Sequence, residues 1–75
     1  MPKGYAIVVR NYIAEIVEFR TIEIFNAPDG IKIYHVETKY GDDYFYESAV
    51  RAVRKELEKE CEDINRALGK KNARS

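Results

Sequence analysis

Apolar residues Val50, Val53, Leu57, Cys61, Ile64 and Leu68 recur at spacings of three and four across residues 48–69, the repeat that lays one stripe along an α-helix. Ser48 can cap the start by accepting a bond from a first-turn N–H. Gly69 can take the left-handed conformation that commonly ends a helix. No Gly or Pro stands between them, so the pattern predicts a rod of roughly 30 Å, at about 1.5 Å per residue, whose stripe the preceding chain must cover.

That preceding chain carries the period of strands. Residues 4–10 set Tyr5, Ile7 and Val9 on one side and Ala6 and Val8 on the other, which predicts a strand covered on both faces. TIEIFN (21–26) and IKIYHVETK (31–39) flank Ala27, Pro28, Asp29 and Gly30, where Pro28 presets φ and Gly30 supplies a left-handed residue. The expected hairpin pairs Ile24 with Tyr34, Phe25 with Ile33, Glu23 with His35 and Ile22 with Val36. Its purer apolar face, Ile22, Ile24, Tyr34 and Val36, is expected to receive the helix stripe. Tyr40, Gly41, Asp42 and Asp43 form a second turn, and Tyr44, Phe45 and Tyr46 a short strand running into Ser48. Residues 11–20 stay ambiguous. Their β-branched content favours a strand, yet on a helical wheel Tyr12, Ile13, Ile16, Val17 and Phe19 gather opposite Glu15 and Glu18, and no Gly or Pro marks a turn. A short helix and a bulged strand are both compatible. The architecture expected is α+β: an antiparallel β-meander of three to four strands packed on one long C-terminal α-helix in two layers.

Composition narrows the class. The 75 residues make a single domain, 1–75, with 70–75 expected as a frayed basic tail. Hydrophobic residues at 45% and charged residues at 35% describe a globular chain rather than a disordered or membrane one. No apolar run approaches the roughly twenty residues that span a bilayer, and MPKGYAIVVR is too short in apolar residues for a signal peptide. No membrane partner and a cytoplasmic location are therefore expected. Cys61 is the only cysteine, which excludes an internal disulfide and reads as a small buried hydrophobe. The net charge of zero conceals an asymmetry. Across residues 11–50, Glu15, Glu18, Glu23, Asp29, Glu37, Asp42, Asp43 and Glu47 face only Arg20, Lys32 and Lys39, whereas after Ile64 the bases Arg66, Lys70, Lys71 and Arg74 meet no acid.

Little in the chain carries reaction chemistry. His35, the one histidine, has Glu23 or Glu37 to orient it but no nucleophile in register. Asp42, Asp43 and Glu47 lack the spaced oxygens of a calcium loop, and no phosphate loop, zinc pattern or nucleophile elbow is present. No enzymatic activity, cofactor or metal is expected. Aromatic residues are more informative. Tyr34, Tyr40, Tyr44 and Tyr46, with Phe25 and Phe45, exceed what one core layer needs, and tyrosine is enriched at interfaces.

The function expected is a small non-enzymatic protein-binding domain that self-associates as a homodimer. Its interface residues on the sheet are Phe25, Tyr40, Tyr44 and Tyr46. On the helix they are Cys61, Ile64 and Leu68, because a strand of about 20 Å cannot cover a longer helix. The competing account is that Tyr12, Ile13, Ile16 and Val17 fold over that overhang and keep the chain monomeric. A second class is nucleic-acid binding. Arg51, Arg54 and Lys55 fall in the first turns of the expected helix, where the dipole disfavours cations, and with Lys70 and Lys71 they could grip phosphates. Salt bridges at helical spacing are the plain alternative.

Residues 44–50 (YFYESAV), with the basic end GKKNARS, resemble the wing strand and tail of lambda-type excisionases. The strands-plus-helix layout is similar to the arm-type DNA-binding domains of phage integrases. What the resemblance implies is a small phage or mobile-element accessory protein. The residues before Tyr40 show no helix-turn-helix and the strands lack basic residues, so no functional residue is carried over from either family.

Overall fold

Four strands and one long helix make up the fold. The computed structural model describes residues 2–73, with side chains through residue 69. Strands β1 (Lys3–Arg10), β2 (Ile13–Asn26), β3 (Lys32–Thr38) and β4 (Gly41–Tyr46) form an open antiparallel sheet in the order β1-β2-β3-β4, packed against a C-terminal helix, α1 (Glu58–Ala73). The expected α+β meander is thus the observed one. No helix among the described residues is long and apolar enough to cross a membrane.

The ambiguous stretch resolves as strand. Asn11 (φ 52°) and Tyr12 (φ 64°) both sit in the left-handed region, which is what a two-residue type I′ hairpin turn requires, and Arg10 pairs with Ile13 across them. The turn carries neither Gly nor Pro, so the usual punctuation is missing. From Ile13 the chain continues as one strand of 14 residues.

A bulge inside β2 corrects the expected register. Glu23 faces His35, Ile24 faces Tyr34 and Phe25 faces Ile33 as expected, but Val36 faces Thr21 and not Ile22. The extra residue, Ile22, reconciles two phases of the sequence. The first half of β2 holds its apolar side chains at odd positions, Val17 and Phe19. Val36 lies on the face they need only if one residue is skipped. Val17 and Phe19 are buried to 2% exposure, whereas Ile22 and Ile24, expected under the helix, are 44% and 42% exposed.

The helix also begins later than its stripe suggests. Instead of a helix from Ser48, a 3-10 turn (Glu47–Ala49) is followed by extended Val50 and Arg51, and a second 3-10 turn (Arg54–Leu57) leads into α1. The peptide of Arg51 exchanges hydrogen bonds of 2.8 and 2.9 Å with that of Tyr5 on β1, so the segment pairs with the sheet and cannot be helical there. Ser48 caps nothing by its side chain, Val53 is exposed, and α1 runs past Gly69. With the start at Glu58, the acids Glu58 and Glu60 occupy the first turn and the dipole is matched. The basic residues that looked misplaced precede the helix.

Val50 enters the core with Ala6, Phe19, Tyr34 and Val36, and Phe45 packs beside Phe19 at 5.9 Å between ring centroids. Leu57, 2% exposed, is buried at the end of the second 3-10 turn. Helix α1 then docks against the first half of β2, which projects beyond β3. There Asn65 uses both ends of its amide on one peptide: Oδ1 accepts from the Ala14 N–H at 2.7 Å and Nδ2 donates to the Ala14 carbonyl at 2.9 Å. Ala14 pairs with Val9 and turns both groups outward, so the asparagine stands where a neighbouring strand would be.

Candidate protein-interaction face

Alternation along the strands puts Phe25, Ile33, His35, Tyr44 and Tyr46 on the face opposite Tyr34, Val36 and Phe45. Neither the helix nor the segment carrying Val50 covers that outer face at β3 and β4. His35 and Tyr44 are directly opposite, and their rings stack at 4.6 Å and 11°. The pair is of the non-hydrogen-bonded kind, in which side chains approach most closely. Phe25 lies on the diagonal and stacks on the same imidazole at 6.5 Å and 19°. The result is a continuous aromatic strip with Tyr46 at its end. Tyr44 and Tyr46 are 59% and 61% exposed.

The rim is acidic. Asp42 lies 3.1 Å from His35 Nε2 through its Oδ2, and Glu37 is paired with Arg20 at 3.0 Å. His35 therefore partners Asp42, not Glu23, which faces it in register. Among the described residues no Lys or Arg reaches ion-pair distance of Glu23, Asp43 or Glu47. The Asp43 carboxylate instead accepts the Tyr44 N–H at 2.8 Å.

Tyr40 belongs to a different constellation. Its hydroxyl and the Lys39 ammonium both converge on the Glu15 carboxylate, and Arg10 lies 4.0 Å above its ring centre. This cluster ties the β3–β4 turn to the β1–β2 hairpin. The Lys39 ammonium, and after it the Tyr40 hydroxyl, hold the Glu15 carboxyl below its ordinary value of 4.5, and Glu15 in turn holds Lys39 above 10.5.

The helix residues expected at a dimer interface are contacted within the chain. Cys61 Sγ donates to the Ala14 carbonyl at 3.4 Å, and Ile64 lines a shallow groove with Ile7, Val9 and Leu57. Leu68 is half-buried. Of the four residues offered as the alternative cover, Tyr12 and Ile13 are 66% and 63% exposed, whereas Ile16 is half-buried and Val17 is buried; the Ala14 backbone bonds to the helix.

The basic set is dispersed. Arg51 donates its guanidinium to the carbonyls of Ser48 (2.6 Å) and Val50 (2.9 Å), and Arg54 pairs with Glu58 at 3.1 Å. Lys55 is exposed, and the side chains of Lys70 and Lys71 lie outside the described residues. No grouping of His, Cys, Asp and Glu among the described residues could hold a metal ion. His35 was legible as a surface residue but its place in the stack was not. Carrying the β3–β4 register from the Gly41 turn would have set it opposite Tyr44. Asn65 left no signal in the sequence.

No protein-family model, curated protein or solved structure matches this chain.

Proposed function

We propose that this chain is a non-enzymatic protein-binding domain whose contact surface is the outer face of β2, β3 and β4. The observation that carries the reading is the exposed stack of Phe25, His35 and Tyr44, extended by Tyr46. Stacking orders these rings before any partner arrives, which lowers the entropy lost on binding. Large aromatic side chains with a polar tip are the residues that dominate protein interfaces. The acidic rim opposes a nucleic-acid backbone, and Arg51 and Arg54 are spent on carbonyls and on Glu58.

A photo-crosslinking residue at Tyr46, compared with one at Lys59, whose side chain is 88% exposed on the helix, tests this in a lysate of the source cells. The reading expects a protein adduct at Tyr46 that survives nuclease and is absent at Lys59. Adducts of equal yield at both positions, or a nuclease-sensitive adduct, overturn it.

A further inference from the structure

We infer that the occupant of this surface is an extended, lysine- or arginine-bearing peptide segment of a partner, which adds to β4 as a fifth strand; the inference rests on the protein-binding reading above and specifies its partner. The alternation of ladder bonds decides which backbone groups are open. Ala27 donates to the Ile31 carbonyl at 2.8 Å, which sets Ile33 and His35 bonding toward β2. Tyr34, Val36 and Thr38 then bond to Phe45, Asp43 and Gly41, and the N–H and C=O groups of Asp42, Tyr44 and Tyr46 point away from the sheet. On the other two open stretches one residue each is met within the chain, Tyr5 on β1 by Arg51 and Ala14 on β2 by Asn65. Among the outward groups of Asp42, Tyr44 and Tyr46, the Tyr44 N–H is held by the carboxylate of its own neighbour Asp43.

Such an edge is a template for an incoming strand. Main-chain bonds supply affinity without selecting a sequence, so the side chains beside the edge set the chemistry. Residues 41–50 contain Asp42, Asp43 and Glu47 and no Lys or Arg. Tyr44 and Tyr46 project from the same strand with exposed rings. A strand alternating cations with β-branched residues places its cations over those rings and beside Asp42, which shares their face. An acidic strand would meet like charge. Within this chain Arg66, Lys70 and Lys71 lie in α1, and Lys3 and Arg10 lie on β1, whose edge is taken at Tyr5 by Arg51.

Titration of the isotope-labelled chain with short peptides alternating Val with Lys, or Val with Glu, reads this out by amide shifts. The Val–Lys peptide should move the amides of residues 42–46 and protect that of Tyr46 from exchange, with affinity falling as salt is raised. Asp42→Asn and Glu47→Gln together should weaken it several-fold. Two variants of Tyr46 separate backbone addition from side-chain contact. Its φ of −67° already matches proline, so Tyr46→Pro fits the strand while deleting the outward N–H; Tyr46→Ala deletes only the ring. Strand addition requires the Pro variant to bind more weakly than the Ala variant, with unchanged circular dichroism in both. Equal loss in the two variants, or equal binding of the Val–Glu peptide, overturns the inference while leaving the docking face in place. Failure of both peptides alongside a protein adduct at Tyr46 also overturns it. Only loss of that adduct reaches the protein-binding reading itself.

Discussion

Replacing Asn65 should test how the open edge of β2 is closed. The amide makes two bonds to one peptide, 2.7 Å from the Ala14 N–H and 2.9 Å to its carbonyl, and Ala14 is only 4% exposed. Asn65→Leu keeps the helix and the fork at Cγ but leaves both groups of Ala14 without their partner, apart from the weak Cys61 thiol at 3.4 Å. A buried backbone group left unsatisfied costs about 1–3 kcal/mol. Two such groups, with water reaching part of the site, put the loss at about 2–4 kcal/mol, against a total of about 4–11 kcal/mol for a chain of this size. Urea denaturation at neutral pH measures it. Asn65→Asp adds a second signature. An ionised carboxylate still accepts from the Ala14 N–H but turns a lone pair on the carbonyl, so the proton that restores a donor is favoured and the folded pKa lies above the unfolded one. The variant should therefore lose stability relative to the parent as pH rises through the carboxyl range and recover it below. A loss under about 0.5 kcal/mol for the leucine variant, the range of ordinary surface changes, would refute the edge-closing role.

Tyr12, exposed and held at φ 64°, should gain from Tyr12→Gly: relief of left-handed strain predicts a rise of about 1 kcal/mol in urea denaturation, and a fall would mean the ring holds the turn. Glu15 makes stability pH-dependent. Its folded value lies below the ordinary 4.5, chiefly through Lys39 and then Tyr40, so its contribution is complete above that value and disappears as pH falls through the folded one. Urea midpoints recorded from neutral to acidic pH should fall less steeply for Glu15→Gln than for the parent, and parallel curves would contradict the pairing.

The strands were legible where turn chemistry was conventional. Pro28 and Gly30 announced one hairpin, and the bonds across it follow: Gly30, at φ 85°, donates to the Ala27 carbonyl at 2.9 Å, and Asp29 accepts from the Ile31 N–H at 3.1 Å. The β1–β2 turn was hidden because Asn11 and Tyr12 adopt positive φ without glycine. The bulge at Ile22 was hidden because each half of β2 is regular by itself and only the change of phase between them betrays it. At the candidate face, Phe25, Tyr44 and Tyr46 stood out as aromatic residues beyond what one core layer needs, whereas the His35 stack needed the register of both hairpins at once.

The late start of the helix was written in the charges and overridden by the stripe. Val50 and Leu57 are seven residues apart, a spacing that suits two helical turns, and both are buried. They reach the interior by separate routes: Val50 from an extended segment paired with β1, Leu57 from the end of a 3-10 turn. Val53, the residue between them on the stripe, is 51% exposed, so the periodicity there is a coincidence of two anchors. The charge order had no such ambiguity. Arg51, Arg54 and Lys55 ahead of Glu56, Glu58, Glu60, Glu62 and Asp63 run against the dipole of a helix begun at Ser48, but with it once the helix begins at Glu58. Arg54 then bridges back to Glu58, and Arg66 pairs with Glu62 and Asp63 one turn away. Apolar spacing reports which side chains are buried, whereas charge order reports where the peptide dipoles align. When the two disagree about a terminus, the charges carry the sharper information, because the dipole effect is confined to the first and last turns while burial can be met by any backbone.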